Sequence, residues 1–430
     1  MTYLAIKGFG GKPILKGTVA VLGAKNAALK GIAASILFRS PLSFQNVPEI
    51  EDVSRMLEII RTMGGEVIVA PHRMTIRKST LASTTLTPEI AKRLRASIVL
   101  TGPILARYGM VRFPYPGGCV IGTRPIDLFT LGFMKMGAKV KKVGKFYDVR
   151  APKGGLKGCE LFFRTQSVTG TETFMMAATL ANGVTIIKNA AMEPEIVWLA
   201  DLLNASGAKI KGAGTPTITI TGGKLLDAKK KIFSIIPDRI EAGSFLILGA
   251  LAAKKLTITN VIPEHLDALI ELLEYSGTKV STTKNSITVS ANTRPHSRRS
   301  VNIRTHEYPG FPTDLQAPMM IYLTQVEGES MVFETIFEGR LNFTESLSRM
   351  GANITMMDPH RVLVRGSTTL KGKRLESPDL RAGLAFVIAA IIANGESHIY
   401  NVYNIDRGYE AIEERLRKIG VLIERKEGDD

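Results

Sequence analysis

The sequence predicts an α/β protein of two similar domains, each made of three helix–strand repeats of about 70 residues. Three observations point there. At 430 residues the chain exceeds one ordinary hydrophobic core, which favours two domains of near-equal size. One signature returns six times: a helix with apolar residues at three- and four-residue intervals, a glycine, then a strand opening on Val or Ile. It reads Gly64-Gly-Glu-Val67, Gly137-Ala-Lys-Val140, Gly207-Ala-Lys-Ile210, Gly277-Thr-Lys-Val280, Gly351-Ala-Asn-Ile354 and Gly420-Val-Leu-Ile423, at spacings of 73, 70, 70, 74 and 69. A glycine just past a helix end takes the left-handed cap that most side chains resist, so each copy is a helix stop followed by a strand start.

Upstream of these caps lies an earlier helix followed by a β-rich stretch. The pairs are 27–37 with 41–47, 173–180 with 183–189, 242–251 with 255–260, and 384–392 with 397–402. Each unit is therefore helix, strand, helix, strands, and three units fill each half. The polar, basic stretch at 227–232 lies near the midpoint and is the expected crossing between domains.

The unusual residues fall at equivalent places in the repeats. Before the first helices stand Gly23-Ala-Lys-Asn26, Leu94-Arg-Ala-Ser97, Ser167-Val-Thr-Gly170, Pro237-Asp-Arg-Ile240, Phe311-Pro-Thr-Asp314 and Pro378-Asp-Leu-Arg381. Before the second helices stand Thr123-Arg-Pro-Ile-Asp127, Glu193-Pro-Glu195, Phe337-Glu-Gly-Arg340 and Ile405-Asp-Arg-Gly408, where Pro125 and Pro194 suit a first helical turn. If the units pack in parallel, several helix N-termini converge and offer N–H groups to an anion. Lys25, Arg95, Arg124, Arg340 and Arg407 add charge for more than one phosphate or carboxylate.

The stretch from Pro114 to Leu128 is the hardest to explain as folding alone. Three prolines and three glycines deny it a regular helix or a central strand. It carries a thiol, Cys119, and a guanidinium five residues on, Arg124. A free cysteine is often an inert buried hydrophobe, but on a loop beside a cation the thiolate is favoured and the thiol becomes reactive.

Composition narrows the class. With 45% hydrophobic and 22% charged residues the chain reads as soluble and globular, and its longest nearly uncharged run, 382–393, is too short to span a bilayer. The opening residues lack the apolar core of a secretory signal, and two cysteines leave no disulfide framework, so the cytoplasm is the expected compartment. The net charge of +17 suits anionic partners, yet its runs fall in surface connections with no zinc-finger or RNA-module pattern. The six histidines show no ligand spacing, so no metal is expected.

These motifs resemble the enolpyruvyl transferases, and the resemblance covers essentially the whole chain. It rests on Gly23-Ala-Lys-Asn-Ala-Ala-Leu29, Arg95-Ala-Ser97, Pro116-Gly-Gly-Cys-Val-Ile-Gly-Thr-Arg-Pro-Ile-Asp127, Glu193-Pro-Glu-Ile-Val197, Pro237-Asp-Arg-Ile-Glu241, Phe311-Pro-Thr-Asp314, Asp379-Leu-Arg381 and Ile405-Asp-Arg-Gly-Tyr409. It implies two inside-out α/β domains, one formed by 1–23 with 236–430 and the other by 24–235. It implies addition of the enolpyruvyl group of phosphoenolpyruvate to the 3-hydroxyl of UDP-N-acetylglucosamine, then elimination of phosphate, the first committed step of peptidoglycan precursor synthesis. By position, Asp314 would be the base and Cys119 the acid, open to a covalent adduct with phosphoenolpyruvate and to alkylation by fosfomycin. Lys25, Arg124 and Arg407 would hold phosphoenolpyruvate with Asn26 and Asp379 nearby. Arg95, Arg124, Pro125, Ile126, Asp127, Leu128, Thr165, Gln166, Ser167, Val168, Ile336 and Arg340 would meet the substrates, mainly the nucleotide sugar.

Three positions depart from the family's best-known pattern, one of them Gly339, where an asparagine often precedes the arginine. Phe129 replaces a histidine beside the uracil and could still stack on a base. Thr165 replaces a lysine near the nucleotide, where Arg164 could substitute. No cofactor, obligate protein partner, nucleic acid or membrane enters this expectation. Two rivals are a transferase acting on shikimate 3-phosphate, whose Asn-x-Gly-Thr-x-x-Arg motif is absent here, and a non-catalytic nucleic-acid-binding protein, which would leave Cys119 and Asp314 without a role.

Overall fold

The computed structural model describes residues 2–78, 81–115, 122, 126–291 and 298–428. All six glycines marked as helix stops have positive φ, between 87° and 110°. Each closes the two hydrogen bonds of a left-handed cap. At Gly207 its own N–H donates to Asn204 O (3.1 Å) and the next N–H, of Ala208, donates to Leu203 O (3.0 Å), and the same pair of bonds recurs at the other five.

Six small sheets follow one plan: an edge strand pairs in parallel with a first strand, which pairs with the far strand of a hairpin. In order they are Ile232–Ser234, Leu42–Gln45, Arg73–Lys78 and Glu66–Ala70, and then Met110–Pro114, Phe146–Arg150 and Lys139–Val143, where Thr85 bridges Arg112 in place of an edge strand. Next come Glu160–Phe162, Val184–Lys188, Thr217–Thr221 and Lys209–Lys211, and Leu15–Ala20, Ala253–Thr259, Ser286–Ser290 and Lys279–Thr282. Then come Ile303–Arg304, Gly328–Phe333, Arg361–Gly366 and Asn353–Asp358, and last Arg374–Glu376, Glu396–Tyr400, Thr2–Lys7 and Leu422–Glu427. The last sheet departs from the plan. Its third place is taken by the first strand of the chain, antiparallel to both neighbours.

An asparagine stabilises the parallel pair in several repeats. Asn46, Asn189, Asn260 and Asn401 follow the first strands with φ near +55°, a conformation asparagine tolerates well. Three of them donate a side-chain N–H to the residue just past the edge strand: Asn46 to Ile235 O (2.8 Å), Asn189 to Phe163 O (2.8 Å) and Asn260 to Val21 O (2.5 Å). In the last repeat Asn404 makes the equivalent bond, to Ser377 O at 2.8 Å.

The chain forms two compact units, one holding the chain up to Leu22 and again from Pro237, the other lying between Gly23 and Ile236. Each is built inside out. In the first, helices Arg239–Ala252, Gln316–Leu323 and Leu380–Ile392 are buried along their whole length, touch one another, and each backs its own sheet. In the second, helices Lys25–Ala34, Thr101–Tyr108 and Val168–Thr179 occupy the interior. The run read as a buried helix at 382–393 is one of these central helices, and no described helix is long and apolar enough to cross a membrane.

The stretch at 227–232 is not a crossing. Asp227 accepts the Arg39 guanidinium (3.0 and 3.2 Å) and the Lys229 N–H (2.9 Å), and Ile232–Ser234 then pairs with Leu42–Gln45. Its charge serves a tight turn, and the chain leaves this unit only after Ile236.

Candidate functional site

In the unit formed by the chain's two ends, a turn at Thr313–Leu315 leads into the buried helix Gln316–Leu323 and presents Asp314. Two guanidiniums grip its carboxylate. Arg340 donates to Asp314 Oδ1 at 2.8 Å and Arg381 to Oδ2 at 2.9 Å; both arginine side chains are 7% exposed, while Asp314 keeps 26%. Burial alone would push the Asp314 carboxyl up, but the charges of Arg381 and Arg340 outweigh it and hold the group well below the usual carboxylate range. Two buried cations against one carboxylate leave a net positive cluster whose acidic member still faces outward.

A further layer fixes these groups. Arg340 also donates to Thr313 Oγ1 (2.9 Å), whose hydroxyl donates to Glu334 Oε2 (2.8 Å). Glu334 Oε1 accepts the N–H groups of Ile336 (2.9 Å) and Phe337 (3.1 Å), which sets the backbone at Ile336. Arg381 donates its other Nη to the Tyr409 hydroxyl at 2.9 Å, so the helix start at 380 is tied to the segment that carries Arg407. Burial pushes the Tyr409 phenol up, leaving it a neutral partner. Arg381, Thr313, Glu334 and Tyr409 were not among the expected site residues. Arg381 had a signal: it closes the motif Pro378-Asp-Leu-Arg381 at the start of a first helix, Leu380–Ile392.

The expectation that helix N-termini here receive an anion is corrected at two of them. Asp379 accepts the N–H groups of Arg381 (2.8 Å) and Ala382 (3.1 Å), and Asp238 accepts those of Ile240 (2.8 Å) and Glu241 (3.0 Å). Both helices are capped by their own carboxylates, which also cancel the positive end of the dipole. Positive charge in this unit therefore comes from side chains.

In the other unit Lys25 opens the helix Lys25–Ala34, whose preceding residue, Ala24, makes no side-chain cap. Its Nζ lies 2.7 Å from the buried Asp52 Oδ2, a partner the sequence reading missed, and Asn26 beside it is half-buried. Arg95 starts the 3-10 segment Arg95–Leu100, which packs on that same helix. Two predicted stretches meet nearby in the fold. Ser167 caps Val168–Thr179 by accepting the Gly170 N–H at 3.0 Å, and Gly170 packs so closely on Leu128 that an added Cβ would lie 2.6 Å from its side chain. Ile126 is buried, Asp127 and Thr165 are exposed, and Val168 is half-buried. The buried Gln166 Oε1 has no hydrogen-bond partner among the described residues.

Phe129 is not available to a nucleobase. It is 7% exposed, with its ring 6.3 Å from that of Phe174 in a stacked pair, because the helix Asp127–Lys135 turns this position inward with Phe133. Cys119, Arg124 and Pro125 lie outside the described residues.

The matched family model, EPSP synthase (3-phosphoshikimate 1-carboxyvinyltransferase), spans residues 11–416. A UDP-N-acetylglucosamine 1-carboxyvinyltransferase of Koribacter versatilis is 44% identical over 97% of this chain and 95% of its own. One of Aliarcobacter butzleri is 43% identical over the full length of both. Among solved structures, the enolpyruvyl transferase NikO from Streptomyces tendae superposes with a TM-score of 0.86 at 22% identity, covering 100% of this chain and 99% of its own. EPSP synthase from Acinetobacter baumannii gives 0.74 at 18%, covering 99% and 100%. These two speak for the fold. With the repeats, the capped helices and the sequence identity together, the chain belongs to the enolpyruvyl transferase family, in its UDP-N-acetylglucosamine 1-carboxyvinyltransferase branch.

Proposed function

We propose that this chain moves the enolpyruvyl group of phosphoenolpyruvate to the 3-hydroxyl of UDP-N-acetylglucosamine and releases phosphate, opening peptidoglycan precursor synthesis in the cytoplasm. The observation that carries the reading is Asp314, a partly exposed carboxylate kept ionised between two buried arginines. Such a group is always ready to accept a proton but is a weak base. It takes the hydroxyl proton only as the new bond makes that hydroxyl acidic, the condition under which general base catalysis is useful.

In the addition, the sugar O3 bonds to C2 of phosphoenolpyruvate, its proton passes to Asp314, and Cys119 protonates C3. In the elimination, C3 gives up a proton, the C2–O bond to phosphate breaks, and the double bond returns. Lys25, Arg124 and Arg407 are assigned to the phosphate and carboxylate, where preformed positive charge favours the tetrahedral intermediate. Arg95, Ile126 to Leu128, Thr165 to Val168 and Ile336 are assigned to the nucleotide sugar, and Arg340 to the substrate-binding cations. The full-length relatives at 43–44% identity support this choice of acceptor over shikimate 3-phosphate.

The test is direct. Phosphate release from phosphoenolpyruvate is measured with UDP-N-acetylglucosamine and, separately, with shikimate 3-phosphate. Release with the first alone is expected; release only with the second would overturn the assignment.

A further inference from the structure

One region of the unit between Gly23 and Ile236 carries charge and apolar surface that neither the fold nor the reaction uses. Between Asp127 and Phe162 lie seven lysines, 135, 139, 141, 142, 145, 153 and 157, all exposed and none ion-paired among the described residues. The acids in this span are few and occupied. Asp148 pairs with Arg150 at 3.0 Å and Glu160 with Lys188 at 2.8 Å, which leaves Asp127.

Next to these lysines three large apolar side chains stand out from the surface: Leu131 at 52% exposure, Met134 at 54% and Phe162 at 61%. Leu131 and Met134 share the outer face of the helix Asp127–Lys135, whose inner face buries Phe129 and Phe133. Phe162 points outward from Glu160–Phe162, where Leu161 points in, and that strand touches the helix. Lys135, the lysines of Lys139–Val143 and Lys157 lie on or beside the elements of this face. Strand Lys139–Val143 packs on the helix, the Lys157 N–H donates to Met136 O at 2.9 Å, and Lys135 is close enough to Cys159 to lower the pKa that burial raises.

Part of this has a plain structural reading. Lys139–Val143 is the edge of a three-stranded sheet, and lysines on an edge strand block pairing with other chains. That accounts for Lys139, Lys141 and Lys142. It does not account for three apolar side chains left more than half exposed beside them, nor for Lys135, Lys145, Lys153 and Lys157 outside the strand.

We propose that this face docks on an anionic lipid bilayer surface, with Leu131, Met134 and Phe162 entering the headgroup region and the lysines beside them contacting lipid phosphates. Charge complementarity selects an anionic partner, and the form of the patch selects lipid. Seven of its eight basic side chains are lysines, flexible point charges suited to a fluid array of phosphates, whereas nucleic-acid sites rely on arginine forks and stacked aromatics. The apolar residues protrude, the posture of an interfacial helix, and a cluster of four to eight basic residues beside such a helix is enough for surface binding without any spanning segment. The expectation of no membrane partner rested on the lack of a span, which this mode does not need.

The test is flotation of the full chain with vesicles of phosphatidylcholine alone or mixed with phosphatidylglycerol, at low and high salt. Binding is expected only to the mixed vesicles, weakened by salt. Replacing Lys135, Lys139, Lys141 and Lys142 together by Gln should lower vesicle affinity roughly a hundredfold or more. The triple variant Leu131→Ser, Met134→Ser, Phe162→Ser should lower it about tenfold or more. Both variants should keep the wild-type phosphate-release rate in solution, since none of these residues is assigned to substrate. No binding to the mixed vesicles at low salt would overturn the proposal. So would an unaltered affinity in the apolar variant, or release of the protein from vesicles by a small fraction of the lipid charge supplied as RNA.

Discussion

At the scale of single residues, Asp314 decides most. Asp314→Asn should lose roughly 10²- to 10⁴-fold in turnover, the usual worth of a general base, while calorimetry still finds the nucleotide sugar bound. It should also lower the melting temperature, because Arg340 and Arg381, each 7% exposed, lose their counter-charge, and breaking a buried pair costs up to about 3–5 kcal/mol. Affinity lost in step with turnover would make Asp314 a binding residue instead. The sign of its titration is also fixed: since the folded carboxyl is held well below its ordinary value, its stabilising charge is present above the ordinary range and lost only in strong acid. An acid limb of the rate profile near pH 5 therefore belongs to another group. Cys119 is tested by a pair of replacements. Cys119→Ser, a far weaker acid, should be nearly inactive, whereas Cys119→Asp should keep measurable turnover and escape fosfomycin, with mass spectrometry of the wild type placing the adduct on Cys119 and not Cys159. The sequence singled out Asp314 because it sits in a motif whose residue types have few structural uses, and the same reasoning marks Cys119, which lies outside the described residues. It hid the partner of Arg381, whose bond to Asp314 joins residues 67 apart, and it misread Phe129, because one step of helix phase decides whether a ring faces a ligand or the core.

At the scale of elements, the repeat was legible because its punctuation is chemical: a left-handed helix stop admits glycine and little else, so six glycines at even spacing mark six helix ends. Gly207→Ala tests this cleanly. With φ at 110° and nothing within 4 Å of an added Cβ, the whole effect is backbone strain, roughly 1–2 kcal/mol, read as a lower melting temperature with activity unchanged. What the pattern could not show is how central helices are joined. Lys30 on Lys25–Ala34 and Glu172 on Val168–Thr179 form a buried pair at 3.2 Å, a long-range match between two positions that look unremarkable in sequence. Burial above all, opposed by Lys30 and helped by Glu195 and Glu193, leaves the Glu172 carboxyl raised to about 8. Between its ordinary value and about 8 the folded state thus binds the extra proton, and stability falls as pH rises through that window. Glu172→Gln should remove this slope, so that melting temperatures of variant and wild type converge or cross on going from mildly acidic to mildly alkaline pH. Parallel curves would assign the slope elsewhere.

At the scale of the whole molecule, one unit draws on both early and late segments of the chain, and the strand Thr2–Lys7 carries that closure. Leu4 pairs with Ile399 and Lys7 with Leu422, so the sheet of the sixth repeat joins the earliest and latest segments of the chain. Ile6→Asp, placing a charge at a fully buried position between Ser397 and Ile423, should strip amide-exchange protection from 396–400 and 422–427 while leaving the central sheets of 23–236 protected. Uniform loss across both units would mean that they unfold as one. The pairing also sets a schedule during synthesis. The unit between Gly23 and Ile236 has its strands at hand well before 396–427 is made, but Thr2–Lys7, translated earlier still, has no partners until 396–400 and 422–427 emerge. Until then it remains an unpaired hydrogen-bonding edge, with Leu4 and Ile6 available to the same strand in a neighbouring nascent chain. The closure that completes the native sheet is thus the step at which crowded synthesis can go wrong, and the step that a chaperone holding the N-terminal segment would most directly protect.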